Sequence, residues 1–238
     1  METILSIDGG GVRGYAEAIV LNEIEKSLRE KTGNDNVNLA HYCNVISGAS
    51  TGGILAAILT CPDDNGNYKY DCSDAVKFYK DHCYEIFNKS KRYVIGGLTY
   101  KYSAKTLEKL LKKYLGDVRM EDLKNHVIIP TIDLIENKAV FLSNIKKDDE
   151  HGCVLVRDAC RMTSSAPTYF KPYEGHGMVC IDGGLVANDT TMCCVAKLRN
   201  YTKPKLKDVA IINIGSGSLA PDIKRMKNWH LLKWGTNI

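Results

Sequence analysis

Three apolar runs in this chain each stop at a glycine-studded turn that sets a polar residue, Asp8, Ser50 or Asp182, near the end of the run: Asp8-Gly9-Gly10-Gly11-Val12-Arg13-Gly14, Gly48-Ala49-Ser50-Thr51-Gly52, and Asp182-Gly183-Gly184. The first two share one grammar. Ile4-Leu5-Ser6-Ile7 reads as a short buried strand, and after its turn Ala16 to Leu28 carries Ile19, Val20, Ile24 and Leu28 at helical spacing. Cys43-Asn44-Val45-Ile46 supplies a second strand, Gly48 to Gly52 its turn, and Gly53 to Leu59 a helix of small apolar residues that ends before Pro62.

The same alternation continues downstream. Residues 73–88 and 103–115 read as helices, as do Val154 to Met162 and Met192 to Leu198, while strands are expected at Val127 to Asp133, Ala139 to Leu142, Met178 to Ile181 and Val209 to Ile214. Such alternation predicts an α/β fold of three layers, a mainly parallel central sheet covered by helices on both faces. No repeat and no proline-rich or serine-rich linker divides the 238 residues, so a single domain over 1–238 is expected. Ligands in such sheets gather beyond the carboxyl ends of the strands, where all three glycine turns fall.

Composition excludes several classes of function. The net charge of +4 arises from 32 Lys+Arg against 28 Asp+Glu, scattered apart from runs such as Lys89 to Arg92 and Lys203 to Lys207. That describes a solvated surface with at most weak attraction to anionic headgroups. Aromatic residues make up only 8% of the chain, too few to interleave a basic stripe for nucleic acid. Nine cysteines, an odd number that includes the adjacent Cys193-Cys194, argue for reduced thiols and a cytoplasmic setting. Asn88-Lys89-Ser90, Asn188-Asp189-Thr190 and Asn200-Tyr201-Thr202 spell glycosylation acceptors, but such tripeptides arise often by chance. Met1 leads directly into a strand, and no apolar run approaches a membrane span, so any membrane contact is expected to be peripheral.

The turns carry the chemistry. Gly48-x-Ser50-x-Gly52 between strand and helix has the form of a nucleophile elbow, in which glycines permit a turn tight enough to lift the serine hydroxyl clear of the backbone. A glycine turn with Ser50 capping the next helix would spell the same letters. Gly9, Gly11 and Gly14 match G-x-G-x-x-G, the turn that brings a helix N-terminus to a pyrophosphate. Against a dinucleotide, Lys31 to Tyr42 is polar and lacks an apolar strand ending in the acid that would hold a ribose. The same free N–H groups can stabilise a developing oxyanion, with Arg13 adding positive charge nearby. Asp182 follows the apolar Met178 to Ile181, which sets its carboxylate at a strand end; a plain turn aspartate is the alternative.

Taken in order, these three turns make the chain resemble the patatin-like phospholipases, also called patatin-like lipid acyl hydrolases. Thr163-Ser164-Ser165-Ala166-Pro167-Thr168-Tyr169-Phe170 and Ile214-Gly215-Ser216-Gly217 are similar to later segments of that family, and the resemblance spans about residues 3 to 218. It implies a patatin-like fold and an acyl-lipid substrate such as a phospholipid, with no cofactor or metal. Ser50 would be the nucleophile, Asp182 its base in a Ser–Asp dyad, and the N–H groups of Gly9, Gly10 and Gly11 the oxyanion hole, with Arg13 beside them. An α/β-hydrolase order would instead need a late histidine, of which His230 is the obvious one. Three departures stand out. Ala49 lies beside the elbow where relatives often have threonine or glycine, Asn188-Asp189-Thr190 replaces Asn-Asn-Pro, and the chain stops soon after Trp229 to Trp234. The last leaves the C-terminal end open to truncation and the wall of the acyl pocket open. A hydrolase of small soluble esters or thioesters with the same dyad, and a non-catalytic nucleotide-binding or regulatory module, remain as alternatives.

Overall fold

A computed structural model describes residues 1–88, 100–145 and 151–217. The basic run at Lys89 to Arg92, most of Asn88-Lys89-Ser90, Trp229 to Trp234 and His230 lie outside the described residues. Among the described residues, no helix is long and apolar enough to cross a membrane.

Seven strands form one mixed sheet: β1 (Glu2–Ile7), β2 (Val45–Gly48), β3 (His126–Asp133), β4 (Lys138–Ser143), β5 (Tyr173–Gly175), β6 (Met178–Asp182) and β7 (Val209–Ile214). Strands β7, β1, β2 and β3 lie side by side in parallel, the expected core. Strands β4 and β6 run antiparallel to β3, and β5, which sequence pattern does not reveal, pairs with β6 as a hairpin.

The period of two along the strands sorts their side chains onto two layers. On one face Leu5, Ile46, Val127 and Ile129 pack with helices α2 (Thr51–Thr60) and α5 (Val156–Thr163) in the main core. On the other, Ile4, Val45 and Ile128 meet Cys194, Val195 and Leu198 of α7 (Thr191–Tyr201). Helix α2 is buried at every position, which explains why its sequence is almost wholly apolar. Each of its Leu and Ile side chains contributes roughly 1.5–3 kcal/mol on burial. Outside it lie α1 (Gly14–Thr32), α3 (Cys72–Ile86) and α4 (Ala104–Leu115), with the short α6 (Gly184–Ala187) following β6. Local signals set the ends: Asp71 caps α3 by accepting from the Asp74 N–H at 3.0 Å, and Gly33 ends α1 in the left-handed conformation. Helix α1 thus occupies most of the stretch after the glycine loop, and Leu39–Tyr42 forms a single 3-10 turn rather than a strand.

One feature of the sheet governs the site. Ile128 of β3 is level with both Ser47 of β2 and Ser143 of β4, and Thr131 with both Asp182 of β6 and Val140 of β4. A strand has only two edges, so β4 fills one and β2 and β6 share the other. They approach each other head-on along it, β2 ending near Ile128 and β6 near Thr131. The carboxyl ends of β2 and β6 therefore meet because β6 runs against the parallel direction.

Candidate active site

Ser50 leaves β2 at φ 51° and ψ −117°, a positive-φ conformation that side chains other than glycine rarely adopt. Holding a serine there takes on the order of 1–3 kcal/mol, so the surroundings must over-determine it. They do so by close approach. A Cβ on Gly52 would stand 2.0 Å from the Ile7 carbonyl oxygen, and one on Gly48 would stand 2.3 Å from the Gly52 carbonyl carbon. Helix α2 begins directly after Ser50, whose side chain makes no cap to it, so the helix-cap reading of this serine does not hold.

On the facing strand end, Asp182 is buried at 6% exposure. One carboxylate oxygen accepts the Gly184 N–H at 2.7 Å, and the Ser50 side chain lies near enough to the carboxylate to favour its ionised form. Burial pushes the Asp182 carboxyl up to about 6, against the opposing pull of the Gly184 N–H and the nearby Ser50 side chain. The structure therefore brings the hydroxyl of Ser50 to a desolvated carboxylate.

Both ends are fastened to the close of α5. Thr163 Oγ1 accepts the Ser50 N–H at 2.9 Å, the Thr163 carbonyl accepts the Gly183 N–H at 3.1 Å, and the Ser165 carbonyl accepts the Asp182 N–H at 3.1 Å. Gly183 is required for this closeness, because a Cβ there would lie 2.0 Å from the Pro130 carbonyl oxygen. Thr163 and Ser165 open a segment that resembles the family, but sequence alone gives them no role. The available signal is a polar triplet, Thr163-Ser164-Ser165, closing a helix whose other buried positions are mostly apolar.

A cavity of about 470 Å3 opens in front of Ser50, within the range of small-ligand sites. Its wall is largely apolar and aromatic, including Ile54, Phe78, Phe87, Tyr102, Leu107 and Phe170, with Gly10, Gly11 and Ser50 together on its border. The glycine loop is not uniform. Gly9 donates its N–H to the Asn188 carbonyl at 3.3 Å, so that amide is already engaged. The N–H groups of Gly10 and Gly11 have no protein acceptor among the described residues. Arg13 is not on the cavity border; its guanidinium donates to the Gly217 carbonyl at 2.7 Å. Of the four residues expected at the oxyanion hole, Gly9 and Arg13 thus have their donors engaged with Asn188 and Gly217, while the Gly10 and Gly11 amides have no protein acceptor among the described residues. Where Thr190 stands in place of a proline, Asp189 supplies the local helix start: its Oδ1 accepts the Thr191 N–H at 2.8 Å at the start of α7. His41, His82 and His176 bond to Asn38, Tyr114 and Asp158 rather than to Ser50.

Fold and site together define an α/β protein in which a strained serine and a buried aspartate meet beside an apolar cavity. A family model for patatin-like phospholipase matches residues 5–192, and the chain belongs to that family. It is 34% identical to patatin-like protein 1 of Arabidopsis thaliana over 98% of this chain and 64% of the relative. It is 35% identical to patatin-like protein 4 of the same plant over 91% of this chain and 59% of the relative. With probable inactive patatin-3-Kuras 1 of Solanum tuberosum it shares 30% identity over 99% of this chain and 67% of the relative. The chain thus spans roughly three-fifths to two-thirds of these relatives.

Proposed function

We propose that this chain is a lipid acyl hydrolase of phospholipase A type, in which Ser50 is the nucleophile and Asp182 its base. One observation carries this reading: a positive-φ serine beside a buried carboxylate that burial pushes up to about 6, which suits a base near neutral pH. Since one relative is named probable inactive, membership alone does not supply activity, and the reading stands on these residues.

As Ser50 Oγ attacks an ester carbonyl, its proton passes to Asp182 and the carbonyl electrons move to oxygen. The Gly10 and Gly11 amides hold that oxyanion. Collapse breaks the bond to the leaving alcohol, which takes the proton from Asp182 and leaves an acyl-serine. Water then attacks, giving its proton to Asp182, and collapse returns the proton to Ser50 as the fatty acid departs. The aromatic wall favours an acyl chain over a small polar ester. A nucleotide would find neither a second strand ending in an acid nor a loop free of the serine site.

The test is covalent labelling. A fluorophosphonate should modify the full chain once, at Ser50 by mass spectrometry, and vesicles of phosphatidylcholine should release fatty acid. Ser50→Ala should do neither. Labelling elsewhere, or fatty-acid release retained by Ser50→Ala, would reject the dyad. Hydrolysis of monomeric short-chain esters without release from vesicles would move the substrate class to small soluble esters.

A further inference from the structure

Two backbone carbonyls of the glycine loop are tied back by residues that the dyad mechanism does not use, one by a side chain and the other by a backbone N–H with a side chain beside it. The Ser216 hydroxyl donates to the Gly9 carbonyl at 3.1 Å. The Gly10 carbonyl accepts the Arg13 N–H at 3.1 Å and the Arg13 Nε–H at 3.5 Å. None of the described peptide bonds is cis, and in a trans peptide the N–H points opposite to the carbonyl it is bonded to. Fixing the Gly9 carbonyl therefore aims the Gly10 N–H, and fixing the Gly10 carbonyl aims the Gly11 N–H.

The two N–H groups also converge. At Gly10 ψ is 4°, which eclipses the nitrogens of residues 10 and 11 and places them on the same side of the chain. Gly11 follows at φ 57°, a left-handed turn. Successive amides in such turns form a concave anion site. The concavity borders the cavity that Ser50 borders, while Ser216 and Arg13 lie off that border.

Ser216 and Arg13 act as one clamp. Arg13 Nη1 grips the Gly217 carbonyl at 2.7 Å, which holds the Gly215-Ser216-Gly217 turn at the end of β7 against the loop at the end of β1. Contact is close: a Cβ on Gly10 would lie 2.3 Å from the Ser216 Cβ. We propose that Ser216 and Arg13 are positioning residues that orient the Gly10 and Gly11 peptides so that both amides face the oxyanion formed at Ser50. This rests on the acyl-hydrolase reading.

The test compares the full-length wild type with Ser216→Ala, Ser216→Thr and Arg13→Lys, using a p-nitrophenyl acyl ester, fluorophosphonate labelling and thermal unfolding. Complete loss of one oxyanion donor slows turnover about a hundred- to a thousandfold, so a misaimed donor should lower kcat by about tenfold or more. Ser216→Ala should show that fall with KM within about twofold, slower labelling and an unmoved acidic limb, because Asp182 is untouched. Ser216→Thr keeps the hydroxyl and should recover most of the loss. Arg13→Lys cannot span both carbonyls and should behave as Ser216→Ala does, which keeps the test alive if Ser216→Ala fails to fold. Wild-type kcat in folded Ser216→Ala or Arg13→Lys would overturn the inference, as would a loss that follows Tm and is not restored by threonine. A wild type that neither labels at Ser50 nor turns over would overturn the acyl-hydrolase reading instead, and the clamp with it.

Discussion

The Ser50 backbone N–H donates to the Thr163 hydroxyl oxygen at 2.9 Å, while the carbonyl of the same threonine accepts the Gly183 N–H at 3.1 Å. One buried residue thereby holds the serine turn and the aspartate turn at a common spacing. Thr163→Val keeps the shape and removes the acceptor, leaving the Ser50 N–H unpaired in a strained turn. The expected loss is about 1–3 kcal/mol of stability together with a fall in kcat of at least about tenfold. Thr163→Ser should restore both, and thermal melts with ester kinetics decide the matter; a valine variant with parental kcat would remove Thr163 from the positioning of Ser50.

Asp182 sets a pH dependence. With the carboxyl pushed up to about 6, kcat/KM should rise through that pH and level off above it as the base loses its proton. The stability effect has the opposite sense. The native state holds the proton more tightly than the unfolded chain, so this group's contribution declines as pH rises from the unfolded value toward 6. Asp182→Asn should therefore abolish turnover yet melt at or above the parental temperature at pH 7.5, with that advantage gone at pH 4. An acidic limb near pH 4 would mean that the base is not desolvated.

Strand β1, the elbow and helix α2 were legible because each is local: an apolar run, a glycine turn, then a helical period. Ser50 and Asp182 were legible as strand-end polar residues for the same reason. Their convergence was expected only through the family resemblance and not from local pattern, since it depends on β2 and β6 sharing one edge of β3, and β6 reads identically in either direction. Local pattern also could not tell Gly9, whose N–H goes to Asn188, from Gly10 and Gly11, whose amides have no protein acceptor among the described residues. That difference is set by a residue far along the chain. Thr163 was visible in the segment that resembles the family but without a role, because a hydroxyl that accepts from a backbone amide carries no spacing of its own.

Glycines that look alike in sequence should separate sharply on substitution. Gly52→Ala forces a Cβ to within 2.0 Å of the Ile7 carbonyl oxygen, so β1 and α2 must part and soluble folded protein should be lost. Gly33→Ala meets nothing within 4 Å and bears only the left-handed φ of 62°, about 1–2 kcal/mol. At roughly 2–4 °C per kcal/mol for a chain of this size, it should melt within about 8 °C of the parent and keep full kcat. Folded, active Gly52→Ala would contradict the close approach at the elbow.

Glu17 provides an independent check on the polarity around the glycine loop. It lies in the first turn of α1 at 1% exposure, and neither carboxylate oxygen has a hydrogen-bond partner among the described residues. Burial, then the negative charge of Asp8, push it up to about 8, with Arg13 opposing. A helix N-terminus favours an anion, so burial outweighs the dipole here. The folded state thus retains a proton that the unfolded chain has released, and stability from this group is lost as pH climbs from about 4.5 through 8. Glu17→Gln removes the ionisation and keeps the size. Its Tm should exceed the parental value most clearly at pH 8 to 9 and coincide with it near pH 4.5. A variant less stable than the parent at pH 9 would mean that the ionised Glu17 is held by a charge partner in the folded state.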